Sequence, residues 1–329
     1  NGLTDITLDA PLIRGVGEKG AVATVAAEHV AVRNTSGLMA DATADKGTTD
    51  LKIEARPPVV DATAEGVTLG KGDVQLAFGS SVLQTTGDVV MRGKGRLNTQ
   101  GDATVVAARV TADAQADHGV VSNGTLRITH GADERTLGDR VGAGGKVLLE
   151  GQRVIQDGLI DVASGQVDIH GKGVAGQATT VELTDRSETR AAGWVAQAGN
   201  DWRVAAPGGK IKVRADAGDV LLNGALDVSA PTITREDGTR LGASAGSIEI
   251  TAAGLATAGD ASRGQVILGE SAKLKGQALA AATSGRISLD AGKLALTAAA
   301  KAADANRSAL DALARLTQDG GFHQDIAVR

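Results

Sequence analysis

Residues 144–171 read GGKVLLEGQRVIQDGLIDVASGQVDIHG and contain one small unit twice. Gly145 and Lys146 lead into Val147-Leu148-Leu149, and Gly165 and Gln166 lead into Val167-Asp168-Ile169, 20 residues further on. Between the copies lies another short run, Ile160-Asp161-Val162, bounded by Gly158 and Gly165. Apolar residues at every second position, rich in β-branched types, read as strands, and a glycine ahead of each run reads as a turn that needs a permissive backbone. Strand and turn repeating at about this spacing is the pattern of a β-solenoid.

Outward from that stretch the glycine-led unit recurs. It begins at Gly72, Gly87, Gly101, Gly124, Gly145, Gly165, Gly209, Gly218, Gly246, Gly264 and Gly285. The intervals are uneven, from 9 to 44 residues. The shortest fit strands on different faces of one coil, and the longest fits about two coils, because turns tolerate insertions that inward positions do not. Coils of about 20 residues would give ~15 levels and a rod on the order of 70 Å long at the usual strand spacing. Before Gly72, Ile6 and Leu8, the run Ala23 to Val32, and Leu51 with Ile53 read as earlier strands, and Pro57-Pro58 marks a turn or outward loop. Within a unit the expected division is simple: Ile211 and Val213 inward with Lys210, Lys212 and Arg214 outward, and Ile248 and Ile250 inward with Ser247 and Glu249 outward.

Composition agrees with a narrow stack. The 329 residues include 45 glycines, two Phe, two Trp, no Tyr and no Cys, so the interior must be built from Val, Ile, Leu and Ala. A wide globular core would draw much of its buried area from aromatics. With 42% hydrophobic residues and a net charge of −5, the chain is not of the disordered class. No apolar run is long enough for a membrane-spanning helix, and the dispersed charge points to neither nucleic acid nor an anionic membrane as partner. The expected fold class is therefore all-β, one β-helix over residues 1–329, with two departures. Residues 175–208 carry the longest gap between glycine units and read as an irregular extra-helical stretch. Residues 298–317 are rich in helix formers, with Ala299, Ala303, Leu310 and Leu313 on one face, and read as one late α-helix covering an otherwise exposed apolar flank. Neither end shows a polar capping coil, as expected of a segment of a longer chain.

The candidates for chemistry are sparse. Gly15 to Gly20 and Gly171 to Gly176 match G-x-G-x-x-G, but neither opens a clear helix, and both are read as coincidences of a glycine-rich chain. His29, His118, His130, His170 and His323 are scattered, without Cys partners or helical spacing, so no metal is expected. The neighbouring acids Asp133–Glu134, Asp185–Glu188 and Glu236–Asp237 lie in polar links and are read as solvated loop residues. A glycosidase would need two acids held about 5–9.5 Å apart around a sugar. Trp194 and Trp202 could present a sugar or receptor contact, and are more simply read as covering the seam between a loop and the rod. His170 and Asp168 are read as outward residues. The expected catalytic, cofactor and metal residues are none. Asn34-Thr35-Ser36, Asn123-Gly124-Thr125 and Asn306-Arg307-Ser308 match the glycosylation sequon.

Three longer stretches carry a resemblance: LNTQGDATVVAARV (97–110), the twice-repeated unit at 144–171, and APGGKIKVRADAGDVLLNGALDVSA (206–230). With GASAGSIEITAAG (242–254) and the alanine-rich segment leading into GGFHQDIAVR, their order resembles the filamentous haemagglutinin family of large bacterial exoproteins. The resemblance implies a right-handed parallel β-helix used as a non-catalytic shaft of a secreted or cell-surface adhesin in Gram-negative bacteria. It also implies an outer-membrane transporter of two-partner secretion as partner, engaged by a domain outside this sequence, and a cell-surface receptor or glycan of unknown identity. Two alternatives share the fold: a polysaccharide lyase or glycosidase, and the stalk of a contact-dependent toxin exoprotein.

Overall fold

The computed structural model describes residues 3–40, 47–58, 65–131, 142–173, 177–198, 202–253, 264–279, 282–303, 308–323 and 325–329. In them the alternating runs form three parallel sheets of ten, ten and nine strands. We name them in the order each coil visits them: sheet I begins with Leu12–Arg14, sheet II with Val22–Ala27, and sheet III with the earlier strand Asp5–Asp9. The path I, II, III repeats along the chain, so every ladder joins one coil to the next, which makes the fold a parallel β-helix. The stack is ten strands deep, so the rod is about 45 Å long, shorter than the ~15 levels expected from the glycine spacing.

That difference has a physical reason. The 20-residue spacing holds for Leu149 opposite Ile169, but Leu83 pairs with Val105, 22 residues on, and Leu222 with Leu268, 46 residues on. The glycine-led unit opens strands of all three sheets: Gly72 precedes Val74–Ala77 of sheet I, Gly87 precedes Asp88–Met91 of sheet III, and Gly101 precedes Asp102–Val106 of sheet II. The short intervals are therefore faces, as expected, and only some intervals are whole coils. Two levels are also incomplete: Leu12–Arg14 pairs directly with Val74–Ala77, and Arg109–Ala112 directly with Leu159–Asp161.

Inward positions stack like on like. Leu149, Ile169, Val213, Ile250 and Leu289 form one column of sheet I, each at most 2% exposed. Lys210, Lys212 and Arg214 alternate outward from Ile211 and Val213, as their parity requires. Two inward positions break the apolar rule. His118 stands in the column of Val147, and its Nε2 donates to the Gly70 carbonyl oxygen at 2.9 Å. Gln156 follows Ile128 inward, fully buried, and is satisfied by Thr189 Oγ1 at 2.8 Å and by the carbonyls of Gly158 and Glu188 at 3.1 Å. Burying Gln156 is tolerated because its hydrogen bonds are made, whereas the buried Nδ1 of His118 has no partner, and burial lowers the His118 pKa to about 4, so the ring is neutral there.

The stretch 175–208 departs from the rod less than expected. Thr179–Leu183 and Glu188–Arg190 are regular strands of sheets II and III. The excursion is an antiparallel hairpin, Val195–Ala198 with Trp202–Ala205. One coil later a second hairpin, Thr232–Thr234 with Arg240–Gly242, leaves the rod at the same corner, between sheets III and I, and its first strand packs against the first hairpin. The late helical segment is divided into α1 (Ala298–Ala303) and α2 (Ala309–Asp319). Ser308 caps α2 by accepting from the Asp311 amide, and the Asp311 carboxylate accepts in return from Ser308, a capping box. α2 buries Ala312, Leu313 and Thr317 against Gln265–Leu268, Lys273–Lys275 and Lys293–Leu296, the last strands of sheets II and III. Leu310, expected on the packed face, is 61% exposed.

Candidate functional site

The outer faces of the sheets are lined by charges that pair between coils. On sheet III, Asp161, Arg190, Asp227 and Lys275 occupy successive levels at one register position and alternate in sign. Lys275 Nζ lies 3.8 Å from Asp227 and 3.7 Å from Glu188, and Arg190 donates to Glu188 at 2.7 Å. Burial pushes the Glu188 carboxyl up, but Arg190 and Lys275 outweigh it and hold it below its ordinary range. Deeper on the same sheet, Arg109 donates to Asp88 at 2.5 and 3.1 Å, with both side chains nearly buried. Burial raises the Asp88 pKa despite that partner.

Sheet I carries the densest cluster, and it lies in the stretch that first defined the fold. His170 follows Glu150 and precedes Arg214 in register. Parity points its ring outward, as expected, yet it is only 5% exposed. Its Nδ1 lies 2.9 Å from Glu150 Oε2 and its Nε2 2.8 Å from Asp216 Oδ1. Lys172 donates to the other Glu150 oxygen at 2.8 Å, and the Gly173 amide donates to Asp216 at 3.2 Å. Burial opposes a charge on His170, but the two carboxylates prevail and its pKa is raised. Its hydrogen bond, aided by Lys172, holds Glu150 down at about 2. Beside them, Asp168 accepts from both Nε and an Nη of Arg214 at 3.0 Å. With both ring nitrogens bonded to carboxylates of two other coils, His170 ties three coils together.

The acids weighed as catalytic candidates do not come together. Glu188 belongs to the ladder on sheet III, Asp185 lies in the turn before it, and Glu236 and Asp237 stand at the tip of the second hairpin, where Asp237 accepts from the Thr239 amide at 2.8 Å. Asp133 and Glu134 lie outside the described residues. Gly15 to Gly20 leads into the strand Val22–Ala27, not into a helix, and 174–176 of the second glycine motif lie outside the described residues. Of the histidines, His29 Nδ1 meets the Glu65 carbonyl at 2.5 Å, His118 faces the interior, and His323 is exposed beyond α2. Among the described residues no group of three or more His, Asp or Glu side chains could hold a metal ion. Trp194 is half-buried at the base of the first hairpin, where its carbonyl accepts from Ala206 at 2.7 Å, and Trp202 pairs with Ala198 across the hairpin. Asn34 is buried and donates to Leu38 and Asp73, so its sequon is occupied by the fold; 306 lies outside the described residues.

Sequence parity missed the His170 cluster for one reason. It assigns a face, and it does not register partners 20 and 46 residues away that close over the ring. The spacing of Glu150 to His170, equal to that of the two glycine units, is the signal that would have found the first of them.

Fold and surface together define a class: a three-sheeted parallel β-helix whose outer charges are paired coil to coil and from which a double hairpin projects. No family model, no curated protein and no solved structure matches the chain.

Proposed function

We propose that this chain is a shaft, a non-catalytic segment of a secreted or cell-surface exoprotein of the adhesin kind, as its resemblance to filamentous haemagglutinins implies. The observation that carries this reading is the continuity of the three sheets over nine or ten levels, with outward charges paired between coils. A surface organised this way stiffens a rod and leaves few groups for chemistry. The double hairpin is the one large excursion among the described residues, and it is where such a shaft would present a contact. Among them no helix is long and apolar enough to cross a membrane.

The test is to locate the protein on the producing cell. Antibodies against the exposed hairpin tip, residues 235–240, should label fibres outside intact bacteria by immunogold microscopy. Label found only after the cells are opened sinks the reading. Deleting the first hairpin, 195–205, and joining Trp194 to Ala206 through one glycine should leave export unchanged, because those two residues are already hydrogen-bonded neighbours. Release of unsaturated sugars from acidic polysaccharides by the purified chain would favour the lyase alternative instead.

A further inference from the structure

His118 is turned into the rod, 2% exposed, and a shaft has no evident use for it. It begins the inner face of Asp117–Ser122 on sheet I, between Gly95 one level below and Val147 one level above. Gly95 has no side chain, and a Cβ placed there would lie 2.3 Å from the Gly72 carbonyl oxygen. The ring reaches past that gap to Gly70, at the entry to Val74–Ala77 two levels below, where Nε2 donates to the carbonyl at 2.9 Å. With the hydrogen on Nε2, the lone pair is on Nδ1, which is buried without a partner. The inward residues of the same level are Val110, Ala112, Val120, Leu126 and Ile128, each at most 1% exposed. The ionisable groups around it face the other way. On the adjoining strands of sheet I, Lys94, Arg96, Asp117, Lys146 and Glu150 take the outward parity, as do Asp88, Arg109 and Arg127 on the other two sheets. Lys71, Asp73 and Asp113 stand in the corners between sheets III and I. Burial lowers the His118 pKa to about 4 against the Gly70 bond, with Arg96 lowering it further and Asp73 opposing.

We infer that His118 is a pH-sensitive latch: neutral, it fastens three successive levels of sheet I from inside, and its protonation opens the rod locally between Gly70 and Ser122. The inference goes beyond the shaft reading and does not depend on secretion. Charging the ring puts a proton on Nδ1, which has no acceptor, so the closed rod must bury an unpaired charge or open to water. Opening costs least here because sheet I is narrow at this point. Val74–Ala77 pairs over three residues with each neighbour, whereas Gln166–Gly171 pairs over six on both sides. The folded pKa lies below the unfolded value of 6.5, so the latch is fully closed above that pH and weakens as pH falls toward about 4. Over the same range the His170 cluster holds, because folding keeps His170 charged and Glu150 ionised. Mild acid therefore loosens the rod in one place and leaves its centre closed.

Amide hydrogen exchange of the full chain, compared at about pH 7.5 and about pH 4.5 after correction for intrinsic rates, reads the latch directly. Protection of Lys94–Thr99 and Asp117–Ser122 should fall in acid by on the order of 50–100-fold, as the folded and unfolded pKa values of His118 require. Gln166–Gly171 should lose far less. His118→Leu, which fills the site without a proton to take, should abolish the fall. An equal fall in the variant, no fall in the two strands, or the same fall in Gln166–Gly171 overturns the inference. A second measurement uses the unmodified chain alone and so does not depend on the variant folding. NMR of ring-labelled histidine should show one of the five rings held as the neutral Nε2–H tautomer below about pH 5. Five rings of which none stays neutral at that pH overturns it equally.

Discussion

Ser164 holds φ at 51° where the chain turns from sheet III into sheet I. Gly72 and Gly93 occupy the corresponding corner of other coils, with φ of 93° and 69°. A side chain in this conformation costs about 1–2 kcal/mol, and the buried Ser164 hydroxyl makes no hydrogen bond. Glycine in its place loses more freedom on folding, at about 0.5–1 kcal/mol. Ser164→Gly should therefore stabilise the chain by roughly 0.5–1 kcal/mol, read as a higher urea midpoint at constant slope; a lower midpoint contradicts the account. His170 makes a second prediction at this scale. Its pKa is raised by folding, so its contribution is complete below about pH 6.5, the unfolded value, and is lost as pH rises through the folded one. Glu150 works in the opposite sense: its contribution is present above about 4.5 and is lost as pH falls toward its folded pKa of about 2. The cluster is thus most stabilising in the mildly acidic range. His170→Gln should cost about 2 kcal/mol near pH 6 and less with each step toward pH 9, in denaturant melts against the unmodified chain. A cost that is flat across that range would mean the ring matters for packing alone.

Among elements, the corners explain the glycines. At the entry to sheet I, a Cβ on Gly165 would lie 2.3 Å from the Gly145 carbonyl oxygen, one on Gly209 would lie 1.9 Å from that of Gly165, and one on Gly246 would lie 1.8 Å from that of Gly209. None of these glycines has positive φ; what they supply is close approach of one coil's backbone to the next. Gly209→Ala must push adjacent coils apart and should cost about 3 kcal/mol or more. Gly238→Ala meets nothing within 4 Å at the second hairpin's tip, and its φ of 79° should cost only about 1–2 kcal/mol. Thermal melts of the pair rank the two causes, and an equal loss would contradict the stacked column. The glycine-led unit was legible in the sequence because this contact recurs wherever a strand begins after a corner. Its reason was not, since a turn that needs positive φ and a corner that needs space both select glycine. Parity likewise sorted Ile211 from Lys212, because each strand's faces depend only on local alternation. It left out what depends on other coils: the closure over His170, Gln156 turned inward toward Thr189, and the division of the late helix at Ser308.

For the whole molecule, stability is a sum of coil-on-coil terms, and a level held on one side opens more readily than one held on both. Gln166–Gly171 and Lys210–Ala215 lie in the middle of sheet I, six residues long, each paired with two neighbours over its full length, and crossed by the His170 and Asp168 bonds. Leu12–Arg14 and Ile326–Val328 are three residues long and paired on one side only. Amide hydrogen exchange should follow that difference, with the central strands exchanging only through global opening and protection falling toward both ends. The fall should be steeper at the first coil, where sheets I, II and III all end on bare edges, than at the last, where α2 covers two of them. Uniform protection across all levels would mean that the rod opens as one unit and that its coils are not separable terms.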